Sequence, residues 1–173
     1  MQLATYKNAF TSYFNDPLVE KQMHEAMGVI KKTQRIFFIG NGGSNAICSH
    51  MMEDYAKIAR YPTFAFTDPA IITCFANDYG YENAMAEWLK IYMQKGDLLV
   101  AISSSGKSAN ILNAVNVAKQ KEASVITLSG FAKGNPLSET GQINFYIPSD
   151  SYGVVECYHQ VILHAILDSL HDN

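Results

Sequence analysis

Apolar positions recur every three to four residues at both ends of the chain, while its middle alternates short apolar runs with polar, glycine-rich breaks. Leu3, Tyr6, Phe10, Tyr13 and Phe14 fall on one side of a helix over 3–14. Asn15, Asp16 and Pro17 break it and start a second helix reaching about residue 32. Asp16 is its N-cap, Pro17 occupies the first helical position, and Met23, Met27 and Ile30 lie on the inner side. From Arg35 the rhythm changes. Strands are predicted over 36–39, 63–67, 97–102, 125–128 and 143–147. Helices are predicted over 45–60, 82–94, 108–121 and 154–170, with a short helical piece over 71–75. Strands alternating with helices imply a parallel sheet with right-handed crossovers, and ligands in such sheets bind beyond the carboxyl ends of the strands. The chain reads as one domain over 1–173: a helical N-terminal arm over 1–32 and an α/β core over 33–173. The arm carries four aromatics, more apolar cover than a small core needs, which places it in an oligomer interface as well as on its own domain.

Composition narrows the class. The 173 residues carry 13 Lys+Arg against 16 Asp+Glu, a net charge of −3 with no basic block, so no nucleic-acid partner is expected. Neither a signal peptide nor an apolar run long enough for a membrane span is present, and the expected location is the cytoplasm. Cys48, Cys74 and Cys157 are odd in number and lack metal-type spacing, so they read as reduced, mostly buried thiols.

Two turns carry the candidate ligand chemistry. The first strand ends in Gly40-Asn41-Gly42-Gly43-Ser44, and the third in Ser103-Ser104-Ser105-Gly106-Lys107-Ser108. Each joins a buried strand to a helix, so free backbone N–H groups, hydroxyls and the positive end of a helix dipole meet where an anion can sit. The first turn invites comparison with a dinucleotide fingerprint, with Asp68 at the tip of the second strand as a ribose-binding acid. Asn45 stands where the third glycine belongs. The second fails as an ATP-binding P-loop because Ala101 replaces the required first glycine. A nucleotide site is therefore the disfavoured reading. A sugar phosphate fits better.

The ionisable residues point to chemistry beyond binding. His50 and Asp54 share a helix face, with Glu53 about 100° round the axis. The last helix is apolar nearly all round, yet a stripe of Glu156, Gln160 and His164 runs through it at four-residue spacing. Buried polar groups of this kind are costly unless paired or functional. His and carboxylate are also good zinc ligands. His24, His159 and His171 receive no role, although His159 lies one turn from Glu156.

Taken together, Gly40–Ser44, His50 with an acid at 54, Asn77–Asp78, Ser103–Asn110 and a final helix bearing His164 resemble the sugar isomerase (SIS) domain family over about residues 35–170. The resemblance implies a three-layer αβα sandwich around a five-stranded parallel sheet. It also implies a homotetramer with active sites between subunits, and no nucleotide. The expected reaction is that of the family's heptose-phosphate branch, sedoheptulose 7-phosphate to D-glycero-D-manno-heptose 7-phosphate through an enediol. By the same resemblance, Asn41, Gly42, Ser44, Asp78, Ser103, Ser104, Ser105 and Ser108 contact the sugar phosphate. Asp54 and His164 form the acid/base pair, and His50, Asp54, Glu156 and His164 a zinc site. Three departures from the family pattern stand out: Asp54 replaces a glutamate, Glu156 a glutamine, and Gly153–Val154 an Asp-Arg pair. The shorter Asp54 leaves three ways of reaching the reacting carbon: a substrate seated nearer, a bridging metal, or substitution by Glu53. The alternative to an enzyme is a non-catalytic SIS protein that binds sugar phosphates or associates with a replication initiator.

Overall fold

The computed structural model describes residues 2–171; residues 1, 172 and 173 of the expected 1–173 domain lie outside them. Two helices, α1 (Gln2–Phe14) and α2 (Pro17–Ile30), precede the alternating core. It runs β1 (Ile36–Gly40), α3 (Gly43–Lys57), β2 (Thr63–Ala65), α4 (Pro69–Tyr79), α5 (Tyr81–Tyr92), β3 (Leu98–Ser103), α6 (Ala109–Gln120), β4 (Ser124–Ser129), a 3-10 turn (Pro136–Glu139), β5 (Ile143–Tyr146) and α7 (Tyr152–His171). All four strand pairings are parallel, in the order β2-β1-β3-β4-β5. The five-stranded parallel sheet and the N-terminal helices agree with the expected architecture. In this order the chain leaves β1 in one direction for β2 and later returns to its other side as β3. The crevice at such a reversal lies between the carboxyl ends of β1 and β3. Those ends are Gly40 and Ser103.

Strand alternation divides the core in two. Ile36, Phe38, Leu98, Val100, Ile102, Ile126, Leu128 and Phe145 face α2, α3 and α7. Phe37, Ile39, Leu99, Ala101 and Val125 face α5 and α6, where Trp88, Leu89, Ile111 and Val115 complete the layer. Every residue of β1 and β3 is buried, as expected of central parallel strands covered on both sides. Among the described residues no helix is long and apolar enough to cross a membrane.

Several boundaries differ from the sequence reading for local reasons. The helical piece over 71–75 extends to Pro69–Tyr79, because Asp68 accepts a hydrogen bond from the Ile71 N–H and Pro69 begins the helix. Asp68 is thus an N-cap, and the strand before it ends at Ala65 instead of Thr67. Helix α3 begins at Gly43, two residues early, since Gly42 takes φ +54° and turns the chain directly into it. Of the cysteines only Cys48 is buried; Cys74 and Cys157 are exposed, contrary to expectation. Helix α1 closes on its own domain, with Phe10, Tyr13 and Phe14 around Tyr158 at ring-centroid distances of 4.9, 5.5 and 5.7 Å. Leu3, at its start, stays 68% exposed.

His159, for which no role is expected, has a structural placement. It is fully buried on α7, with Nε2 at 3.3 Å from the Ser129 carbonyl oxygen and Nδ1 unpartnered. Burial lowers its pKa to about 4 from the usual 6.5. The unfolded chain therefore takes up this proton first as pH falls. The resulting loss of stability begins near pH 6.5 and is complete below pH 4, amounting to about 3 kcal/mol. His159→Gln, which can still donate to the Ser129 carbonyl, is expected to be less sensitive than the wild type in urea titrations between pH 7 and pH 4. Parallel pH profiles for the two proteins would overturn this assignment.

Candidate active site

Helices α3 and α6 start where β1 and β3 end, and both point their N-termini at the same crevice. Neither has a side-chain cap at its start (Gly42 and Ser108), whereas α2, α4 and the 3-10 turn are capped by Asp16, Asp68 and Asn135. First-turn N–H groups left in this state suit an anion. The cleft between them has a volume of about 130 Å³, lined by Asn41, Ser44, Ser103, Ser104, Ser105, Ser108, Tyr152 and Glu156. Larger hollows of about 280 and 440 Å³ flank α1 and α2 but lack this convergence of helix ends and hydroxyls.

Within the cleft Ser103 Oγ and Ser108 Oγ are 3.2 Å apart, and Ser105 Oγ accepts from the Lys107 N–H. Ser104 Oγ is buried with no hydrogen-bond partner, a costly state that a ligand oxygen would relieve. The turn's shape depends on Gly106. Its φ is +63°, and a Cβ there would overlap the Asn135 side chain. Asn135 is itself fixed by donating to Ser129 Oγ and the carbonyls of Gly130 and Ala132. The two turns are tied by a reciprocal amide pair: Asn41 donates to Asn110 Oδ1 at 3.0 Å, and Asn110 donates back at 2.8 Å. Tyr81 adds a third bond to Asn41 Oδ1. Asn41 thus holds the turns together besides lining the cleft. Sequence reasoning assigns no role to Asn110 or Tyr152; the only trace of Asn110 is its place at the end of the serine run.

One helix turn along α7 from Glu156 lies a second constellation. His50 Nε2 is 3.1 Å and His164 Nδ1 3.8 Å from the same oxygen of Asp54. The two imidazoles face each other at 77° with centroids 5.1 Å apart. Ligating atoms of His50, Asp54 and His164 all fall within 4.8 Å of one another, a set able to hold a divalent metal ion. Gln160 Nε2 lies 2.8 Å from His164 Nε2 and 3.3 Å from His50 Nδ1. In this assignment both of those nitrogens accept, and the protonated nitrogens face Asp54. The Asp54 side chain is only 13% exposed.

Not every expected residue joins these groups. Glu156 is outside the His/Asp cluster and rests over Gly43, where an added Cβ would overlap its carboxylate. Asp78 sits at the exposed end of α4 beside Asn77 and Cys74 and does not line the cleft. Glu53 points elsewhere, paired with Lys57 at 3.6 Å. Gln160, whose amide meets both imidazoles, is a side chain that sequence reasoning leaves without a role, although its place in the polar stripe is visible there.

A parallel sheet whose reversal point carries two facing helix N-termini and a serine-lined anion cleft is the arrangement of a sugar-phosphate-handling α/β domain. The sequence pattern of the SIS domain matches residues 15–130, and the chain belongs to that family. Similar relatives narrow the class to the phosphoheptose isomerases. The phosphoheptose isomerase of Fusobacterium nucleatum is 33% identical over 87% of this chain and 80% of its own. That of Glaesserella parasuis is 29% identical over 96% and 92%. The solved structure of a phosphoheptose isomerase from Francisella tularensis, 28% identical, superposes with a TM-score of 0.88 over 99% of this chain and 95% of that one. The chain is an isomerase of this type. Glu156, Gln160 and His164, on α7, lie beyond the matched 15–130 segment.

Glu156 makes a specific electrostatic demand. Its carboxylate lines the same small cleft as the expected phosphate, and like charges about 4 Å apart repel by about 1 kcal/mol even at the dielectric of water. Glu156→Gln is expected to bind inorganic phosphate about tenfold more tightly by calorimetry. An unchanged dissociation constant would show that Glu156 swings away from the anion.

Proposed function

We propose that the chain interconverts sedoheptulose 7-phosphate and D-glycero-D-manno-heptose 7-phosphate by moving a proton between C1 and C2 through an enediol. The observation that carries this reading is the coexistence, along one face of α7, of the serine cleft and an acid/histidine pair. His164 comes within 3.8 Å of Asp54 inside a single chain. Helix geometry sets His164 about 12 Å and Gln160 about 6 Å along the axis from the Glu156 turn. An extended seven-carbon sugar phosphate spans such an interval, with its phosphate among Ser44, Ser103, Ser104, Ser105 and Ser108 and its carbonyl end at Asp54.

Asp54 acts as the base that takes the carbon-bound proton, and His50, bonded to the same carboxylate, holds it in place. His164 delivers or withdraws the proton at the neighbouring oxygen. The half-buried setting limits water at the enediol and strengthens each charge interaction. His50, Asp54 and His164 would hold a zinc ion, whose chemistry when bound is polarisation of the carbonyl and stabilisation of negative charge on its oxygen. A homotetramer in the cytoplasm is the proposed setting. The exposed Leu3 and half-covered Phe10 of α1 offer apolar surface to a neighbouring copy.

A panel of pentose, hexose and heptose phosphates followed by NMR in D₂O tests the reading. Solvent deuterium entering at C1 or C2 of the heptose phosphate alone is the expected result. No exchange with any member of the panel would sink it.

A further inference from the structure

The face of α7 along which the proposed substrate lies has a gap, and another helix fills it. Positions 153, 156, 160 and 164 follow one another at spacings of three, four and four, so Gly153 shares the face of Glu156, Gln160 and His164. It precedes Glu156 by about 4.5 Å along the axis. Tyr152 before it and Glu156 after it both line the anion cleft, yet Gly153 itself offers no side chain there. Its φ lies outside the left-handed region, so the backbone alone would accept alanine, a better helix former. Space is what excludes alanine. A Cβ at 153 would stand 2.5 Å from the hydroxyl oxygen of Tyr6 on α1 and 3.8 Å from the nearest ring carbon. The Tyr6 hydroxyl thus occupies the place of the missing side chain.

We infer that Tyr6 is a further substrate-binding residue, its O–H donating to the phosphate end of the sugar phosphate held in the serine cleft; this rests on the sugar-phosphate reading under Proposed function. The Tyr6 ring is half-buried and packs on the same core as α7, one helix turn before Phe10. Phe10, Tyr13 and Phe14 anchor α1 around Tyr158, so the ring of Tyr6 is held by packing while its hydroxyl remains available. Among the described residues that hydroxyl has no hydrogen-bond partner. A phenolic O–H is a neutral donor, and it reaches the rim from the α7 side, where Glu156 can only accept. The serines and the N-termini of α3 and α6 approach the anion from the β1 and β3 ends. On this assignment the arm does more than cover the core. It supplies the donor that the bare first turn of α7 lacks.

The test compares wild type, Tyr6→Phe, Gly153→Ala and the double variant, by calorimetry with inorganic phosphate and by KM and kcat for sedoheptulose 7-phosphate. Tyr6→Phe removes one hydroxyl that bonds the ligand and none that bonds the protein. It is expected to weaken phosphate binding and raise KM about tenfold each, with kcat changed less than about twofold and Tm unchanged. Gly153→Ala keeps the hydroxyl but pushes it aside, and should show the same loss. In the double variant the added Cβ meets only the ring carbon at 3.8 Å, an ordinary contact, so its loss should be no larger than that of Tyr6→Phe alone. A Tyr6→Phe protein that binds phosphate within about twofold of wild type, or a double variant in which the two losses multiply, overturns the assignment. If phosphate binding follows the expected pattern while wild type leaves the heptose phosphate unchanged, the role of Tyr6 stands and the heptose reading falls. A wild-type protein that binds no phosphate and isomerises no sugar phosphate overturns both.

Discussion

Asp54→Asn is expected to lower kcat for heptose-phosphate isomerisation about 10²- to 10⁴-fold, the usual contribution of a positioned general base. The substitution preserves volume, and its side-chain oxygen can still accept from His50 Nε2, which lies 3.1 Å from the carboxylate. What it removes is a group able to hold a proton abstracted from carbon. On the proposed reading the phosphate end is held separately, by the hydroxyls and helix N-termini of the serine cleft, so KM should change far less than kcat. His164→Ala should fall in the same range, and the double variant little further, if the two act on one proton relay as proposed. Deuterium incorporation from D₂O must fall in parallel with kcat. Asp54→Glu, one methylene longer, is expected to lie between wild type and Asp54→Asn, because a shift of about 1 Å misaligns a proton donor or acceptor without abolishing it. An Asp54→Asn enzyme within about threefold of wild type would transfer the base role elsewhere. Glu53 is a poor successor, because Lys57 already holds it on the exposed side of α3.

Features set by local chemistry were the legible ones. Buried runs such as Leu98–Ile102 declare strands by composition, and strand–helix alternation then dictates parallel pairing; the fold contains both. The turns after β1 and β3 are readable because glycine and serine at a strand–helix junction have a chemistry of their own, independent of distant contacts. The aspartate at 68 misleads for a related reason. A carboxylate after a strand and before proline serves equally as a ligand or an N-cap, and only the Ile71 N–H settles which. The different placements of Glu156, over Gly43, and Gln160, against the imidazoles, are not legible. Four-residue spacing places both on one face of α7, but which one meets His50 depends on the axial offset of α3 against α7, a tertiary quantity. The Asn41–Asn110 pair is likewise invisible until two turns 69 residues apart are brought together. Charge at Glu156, amide at Gln160 and a shortened acid at Asp54 are thus three neighbouring features along one α3–α7 seam.

The largest stability effect is expected at the opposite edge of the sheet. Asp97 is 1% exposed just before β3 and accepts two bonds from Arg35, at 2.9 Å from Nε and 2.6 Å from Nη2, and a third at 2.7 Å from the Gln94 N–H. Arg35 leads into β1, so this fork fixes the starting ends of the two strands whose far ends form the cleft. Asp97→Ala would leave the Gln94 N–H without its acceptor and Arg35 with only the Tyr92 carbonyl of its present hydrogen-bond acceptors, besides the Phe37 ring under its guanidinium. Breaking a buried pair in this way typically costs about 3–5 kcal/mol. The Arg35 side chain is 26% exposed, so water recovers part of that, and about 2–4 kcal/mol is expected. In a domain of this size each kcal/mol lowers Tm by about 2–4 °C, giving a drop of roughly 5–15 °C by calorimetry. Asp97→Asn, which keeps one accepting oxygen and no charge, should fall between. Because the pair sits a full strand length from Gly40 and Ser103, kcat and KM measured well below the new Tm should remain within about twofold of wild type. A Tm loss under about 2 °C would mean that Arg35 finds solvent as readily as it finds Asp97. An intact Tm with impaired phosphate binding would mean that the spacing of β1 and β3 at one end is transmitted to the cleft at the other.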